Sequence, residues 1–137
     1  MANHEFGIMQ IPPQNGQRFD AYEPEKYDCI SVKDDYIENI LEKLSDIDFY
    51  WHTLDVSCKG IEYTGITLVP PSSMQQFISV IEIAPELLEL KNLLLIALNE
   101  NMWLIHFGIY FCTLHFASIR GEHQWQKLIN SQNIWLI

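Results

Sequence analysis

The sequence predicts an α+β fold: an antiparallel or mixed sheet with about three helices packed on one face, in a single domain spanning residues 1–137. Three observations carry that prediction. Short β-branched and aromatic runs bounded by glycine or proline alternate with stretches whose apolar residues recur at helical spacing. Strands and helices follow one another in an order that suits a sheet covered by helices rather than a repeat. With 137 residues, 48% hydrophobic and 12% aromatic, the chain has enough apolar surface to close one core without a cofactor.

The elements read in order as follows. His4 to Gln10 is a first short strand, ended by Pro12-Pro13 and Asn15-Gly16. Asp28 to Val32 is a second, with isoleucine and valine flanking Ser31. Asp34 then sits where an N-cap belongs, and Ile37, Ile40, Leu41 and Leu44 fall on one face of a single amphipathic helix. Its outer face carries Asp35, Glu38, Glu42 and Asp46 as a carboxylate stripe. Glu38 and Glu42, one turn apart, are expected to repel by about 0.2 to 0.5 kcal/mol.

Asp48 to Val56 and Ile61 to Val69 read as a β-hairpin turning at Ser57-Cys58-Lys59-Gly60. Gly65 interrupts its alternation and predicts a bulge. After Pro70-Pro71, Ser72 or Ser73 with Gln75 or Gln76 forms a capping box for a helix to about Glu82. Pro85 opens the next helix, which is apolar on nearly every face from Leu87 to Leu98. Met102 to Phe107 is an apolar strand that Ile109 to Ala117 extends or pairs beside, and a short helix is expected around Trp125, Leu128 and Ile129.

Charge narrows the partners. Eighteen acidic and 8 basic side chains leave a formal charge of -10, so phosphate backbones and anionic lipid are disfavoured, and neither nucleic acid nor membrane is expected as a partner. The acidity is uneven: residues 1–108 form an acidic main body, and 109–137 an apolar, nearly neutral C-terminal segment. The amino end has no basic region followed by an apolar stretch, which points to the cytoplasm. Three widely spaced cysteines, Cys29, Cys58 and Cys112, suit neither a disulfide framework nor a C-x-x-C pair and read as reduced thiols.

No motif announces chemistry. His52, Asp55 and Cys58 lie close in sequence, but no nucleophile signature surrounds Cys58. The five histidines lack H-E-x-x-H or zinc-type spacing and read as core or edge histidines bonded to backbone. There is no glycine-rich phosphate loop and no G-x-S-x-G elbow. No catalytic residue, metal or cofactor is therefore assigned. Tyr50 with its aromatic neighbours lacks the basic interleaving of a nucleic-acid platform.

The span from Glu5 to Gly108, most distinctively Tyr50-Trp51-His52-Thr53-Leu54-Asp55 and Gly65-Ile66-Thr67-Leu68-Val69-Pro70-Pro71-Ser72, resembles small bacterial immunity proteins found beside secreted polymorphic toxins. The resemblance is one of size, acidity and α+β pattern and carries no site residue across. It implies a stoichiometric inhibitor that binds a toxin domain and blocks its active site.

Three functions compete on these grounds. One is a non-catalytic binding protein that docks a basic partner through Asp35, Glu38, Glu42 and Asp46. Another is a small enzyme or ligand-binding domain with a pocket near the 49–69 hairpin, using Tyr50, His52 and Asp55. The third is a structural subunit that self-associates through the C-terminal segment with Trp125, Trp135, Leu136 and Ile137.

Overall fold

The computed structural model of the protein describes residues 2–109. Within them lies one antiparallel six-stranded sheet: β1 Asn3–Met9, β2 Ile30–Lys33, β3 Asp48–Trp51, β4 Ser57–Lys59, β5 Ile66–Val69 and β6 Trp103–Phe107. The spatial order is β2-β1-β6-β5-β3-β4. Four helices accompany it, α1 Asp34–Glu38, α2 Leu41–Leu44, α3 Met74–Ile81 and α4 Leu88–Asn99. The strand expected over Ile109 to Ala117, the helix around Trp125 and the self-association segment lie outside the described residues, as do Cys112, His115 and His123.

The period-2 alternation of the strands sorts the core into two layers. One face buries Phe6, Val32, Phe49, Val69 and Leu104 beneath Ile37 of α1, Leu44 of α2, Phe77 and Ile81 of α3, and Leu90 and Leu94 of α4. Phe77 is the keystone there, with ring centroids 6.3 Å from Phe6 and 5.8 Å from Phe49. The opposite face buries Met9, Ile66, Leu68, Ile105 and Phe107 beneath Phe19, Tyr22 and Tyr27 of the loop between β1 and β2. All four helices thus cover one face, and the proline-punctuated loop covers the other.

The expected single helix over 34–44 is two. Ile40, at φ -114 and ψ 1, leaves helical geometry between α1 and α2, and its N–H bonds to the Ile37 carbonyl at 3.0 Å in a tighter turn. Ile37, Ile40, Leu44 and Ile47 nonetheless all enter one core. Across the break, Glu38 and Glu42 are not neighbours on one helix, and their one-turn repulsion does not apply.

The hairpin also differs. β3 does pair antiparallel with β5, Tyr50 opposite Leu68 and Trp51 opposite Thr67. The residues read as its turn form β4 instead, on the far edge of β3, with Phe49 opposite Cys58. The reversal falls at His52, whose φ of 48 is left-handed, and the Trp51 N–H closes it on the Val56 carbonyl at 3.0 Å. Gly65 ends a turn rather than making a bulge: its N–H bonds to the Glu62 carbonyl at 3.3 Å, and its own carbonyl accepts from Gly108 at 2.7 Å.

Pro71 and Pro85 each open a short 3-10 turn that runs into α3 and α4 respectively. The serine capping box does not form. The Ser73 hydroxyl donates instead to the Asp48 carbonyl at 2.6 Å, tying the start of α3 to the start of β3. Nor is α4 covered all round, since Leu88 and Ile96 are exposed at 56% and 47%.

Candidate functional site

The sheet register assembles a polar chain that no local motif reveals. His4 of β1, His106 of β6 and Thr67 of β5 face the helices, because His4 shares the parity of Phe6, and Phe6 and Thr67 both stand opposite His106. His4 Nδ1 lies 2.8 Å from His106 Nε2, and the two rings are near-parallel with centroids 5.1 Å apart. His106 Nδ1 lies 3.1 Å from Thr67 Oγ1, which accepts the Glu62 N–H at 2.7 Å. At the other end, His4 Nε2 donates to Asp34 Oδ1 at 2.9 Å. The Tyr63 hydroxyl donates to the same oxygen at 2.6 Å.

Asp34 therefore does not act as the N-cap expected of it. Lys33 occupies that position, and no side chain caps α1. The Asp34 carboxylate turns back onto the sheet instead, and its N–H bonds to the Ala2 carbonyl at 3.1 Å.

With both imidazoles neutral and Asp34 ionised, one pattern of protons satisfies the chain. An ionised Asp34 only accepts, so His4 Nε2 carries the proton and its Nδ1 accepts from His106 Nε2–H. His106 Nδ1 then accepts from the Thr67 hydroxyl, whose oxygen takes the Glu62 amide. Every ring nitrogen has a partner, as buried polar groups require. Burial holds His4 below the ordinary imidazole value although Asp34 opposes it. Complete burial, with His4 alongside, holds His106 well below it. Partial burial pushes Asp34 up, but hydrogen bonds from His4 and Tyr63 outweigh it and its pKa is lowered.

A hydroxyl, two imidazoles and a carboxylate in series have the order of a nucleophile relay. Access argues against that use: His4, His106 and Thr67 are each 0% exposed, so no substrate reaches the hydroxyl. The chain meets solvent only at Asp34, whose side chain is 18% exposed. These histidines are core residues, as expected, but they bond to each other and to side chains rather than to backbone. The signal available in the sequence was parity, since His4 shares a face with Phe6 and Ile8 and His106 lies in an apolar run. Their pairing across 102 residues was not.

At that mouth Asp34, Asp35 and Glu38 each bring a ligand oxygen within 4.8 Å of the others. Exposed carboxylates gather this closely without an ion, and nothing further in the structure points to a cation there. Asp35, Glu38, Glu42 and Asp46 are all exposed.

The residues expected near the hairpin are dispersed. Tyr50 faces the loop layer, its ring 5.7 Å from that of Trp103. His52 serves through its backbone, donating to Ile66 and accepting from Phe19. Asp55 is exposed, and its N–H bonds to Thr53 Oγ1 at 3.3 Å. Cys58 shares the face of Phe49. On the loop side, Cys29 is a free thiol that burial, with Glu5 nearby, pushes up to about 12. A thiol so rarely ionised is a poor nucleophile.

A surface cleft of about 250 Å³ lies elsewhere, between the end of β1 and the following loop. Met9, Ile11, Phe19 and Tyr27 line it with Lys26 at the edge. Neither Tyr50, His52 nor Asp55 borders it. Among the described residues no helix is long and apolar enough to cross a membrane. Comparison of the chain with protein-family models, with curated proteins and with solved structures gives no match.

Proposed function

We propose that this chain is a non-catalytic binding domain that docks a cationic protein through the acidic surface of α1, α2 and the turn after them. One observation carries the reading. Asp35, Glu38, Glu42 and Asp46 are exposed and enter none of the ion pairs among the described residues. Arg18, Lys26 and Lys59, by contrast, are matched to Asp20, Glu23 and Asp48. These four carboxylates place unmatched negative charge on α1, α2 and the turn after them, in addition to that of Glu25, Asp28, Asp55, Glu62, Glu82, Glu86, Glu89 and Glu100 elsewhere, and such charge steers a positive surface at long range.

The sealed state of the histidine chain supports a role without chemistry, because the titratable groups that the fold brings together hold elements in place. In the immunity-type form of this reading, which the family resemblance implies, the partner is a toxin domain and binding blocks its active site. The test is chemical crosslinking of the full chain in its native cell at low salt, followed by mass spectrometry and reconstitution. A basic protein crosslinked through α1 or α2 is expected. Recovery only of neutral or acidic partners, or crosslinks that avoid this surface, overturns the proposal.

A further inference from the structure

The chain from Thr67 to Asp34 has room for one additional proton and none for a second. In the neutral chain each imidazole donates through Nε2–H. One proton that reaches the buried His106 Nδ1 in a local opening of the fold lets that nitrogen donate to Thr67 Oγ1, which has a lone pair for it besides the one taken by the Glu62 amide, while the Thr67 hydroxyl hydrogen gives up the acceptor it had in that nitrogen. The proton on His106 Nε2 then shifts along the 2.8 Å nitrogen-to-nitrogen contact to His4 Nδ1. His106 stays neutral in its other tautomer, and His4 becomes an imidazolium against Asp34 at 2.9 Å. Every ring nitrogen keeps a partner, and the charge sits beside its counter-charge.

A second proton has no such place. On His106 Nε2 it sets N–H against N–H and stacks two cations with centroids 5.1 Å apart. On Asp34 it removes the counter-charge. We propose that the His4–His106 pair is a two-step acid latch on α1, in which the first proton reverses the chain with the fold intact and the second frees α1 from the sheet. Asp34 is the first residue of α1, so the second proton acts where a side chain ties this helix to β1, a tie that works beside the burial of Ile37 in the core.

The surroundings leave the pair few other charges to answer. From α1 it faces Asp34, with Asp35 and Glu38 close behind. Before β5 it meets Tyr63, whose ring centroid is 5.2 Å from that of His4. β2 opposes His4 with Val32, and the Phe6 ring lies 4.9 Å from that of His106. Lys33, beside Asp34 in the chain, is exposed. Burial keeps both imidazoles neutral at the outset.

The test is a pH titration of the full chain with ¹⁵N-labelled histidine, following ring-nitrogen shifts together with amide hydrogen exchange. The expected result is two midpoints. At the first, His4 becomes an imidazolium and His106 switches from Nε2–H to Nδ1–H together, with exchange in α1 unchanged. At the second and lower one, α1 amides exchange at least about tenfold faster while Phe49 and Leu104 stay protected. Separate titration of the two rings, retention of Nε2–H on His106 until the whole fold opens, or release of α1 at the first midpoint overturns the proposal. Asp34→Asn is expected to lower the first midpoint by about one to three pH units by removing the counter-charge, and an unchanged midpoint contradicts it. Should that variant not fold, the wild-type ring titration decides alone.

Discussion

His4 Nδ1 lies 2.8 Å from His106 Nε2 in a contact that joins β1 to β6 across 102 residues of chain. With both side chains 0% exposed, it fixes the rotation of two rings and, through Asp34, the seat of the helix that opens the acidic surface.

Acid should weaken the fold before the carboxylates titrate. Both histidines have lowered values in the fold, so below about pH 6.5, the ordinary imidazole value, the unfolded chain binds more protons than the folded one. The sign is therefore loss of stability as pH falls through that value, continuing until the folded values are reached, by up to about 1.4 kcal/mol per pH unit for each proton. Asp34, also lowered, adds a loss of the same sign at lower pH. Urea midpoints should hold between pH 7.5 and 7 and then decline toward pH 4.5, whereas a flat profile between pH 7 and 5 would show that the pair is not buried neutral.

Thr67→Val should cost about 1 to 3 kcal/mol in urea denaturation, because it leaves the Glu62 amide and His106 Nδ1 without their shared partner. Thr67→Ser, which keeps the hydroxyl, should recover most of that loss. Equal losses for the two variants would place the cost in packing rather than in the hydrogen bonds.

Much of this was legible in the sequence, and the failures have physical reasons. β1, β2 and β6 lie close to their expected places because isoleucine, valine and phenylalanine mark them between turn residues. Pro85 opens its helical stretch as its fixed φ leads one to expect, and Pro71, expected only to end the sheet, does the same. Ser57-Cys58-Lys59 has the polar composition of a turn, yet the ladder to β3 makes it a strand. Local chemistry alone makes Asp34 a cap. A partner 30 residues away, His4, takes its carboxylate instead. Tertiary pairing also decides the histidine chain, since no local spacing specifies which strands become neighbours.

Gly108 marks a close approach that sequence spacing also hid. A Cβ there would overlap the Tyr63 carbonyl oxygen and lie 2.9 Å from the Gly65 nitrogen, both backbone. Gly108→Ala should therefore lower stability by about 2 kcal/mol or more as β6 and the turn before β5 are forced apart. Gly16→Ala meets nothing within 4 Å and strains only a φ of 84, so its cost should stay near 1 to 2 kcal/mol, roughly. Thermal melts of both variants would reveal the difference, and a smaller effect at Gly108 than at Gly16 would contradict this packing.

The acidic surface is the centre of the functional account, and its most direct test is kinetic. The double variant Glu38→Lys/Glu42→Lys changes exposed side chains that enter none of the ion pairs among the described residues, so the fold should be retained. Association of the full chain with its reconstituted basic partner is then followed by stopped flow at low and physiological salt. Charge steering predicts an association rate for the variant about tenfold slower at low salt, with the difference shrinking as salt rises. Equal rates for the two proteins at low salt would contradict docking through this surface.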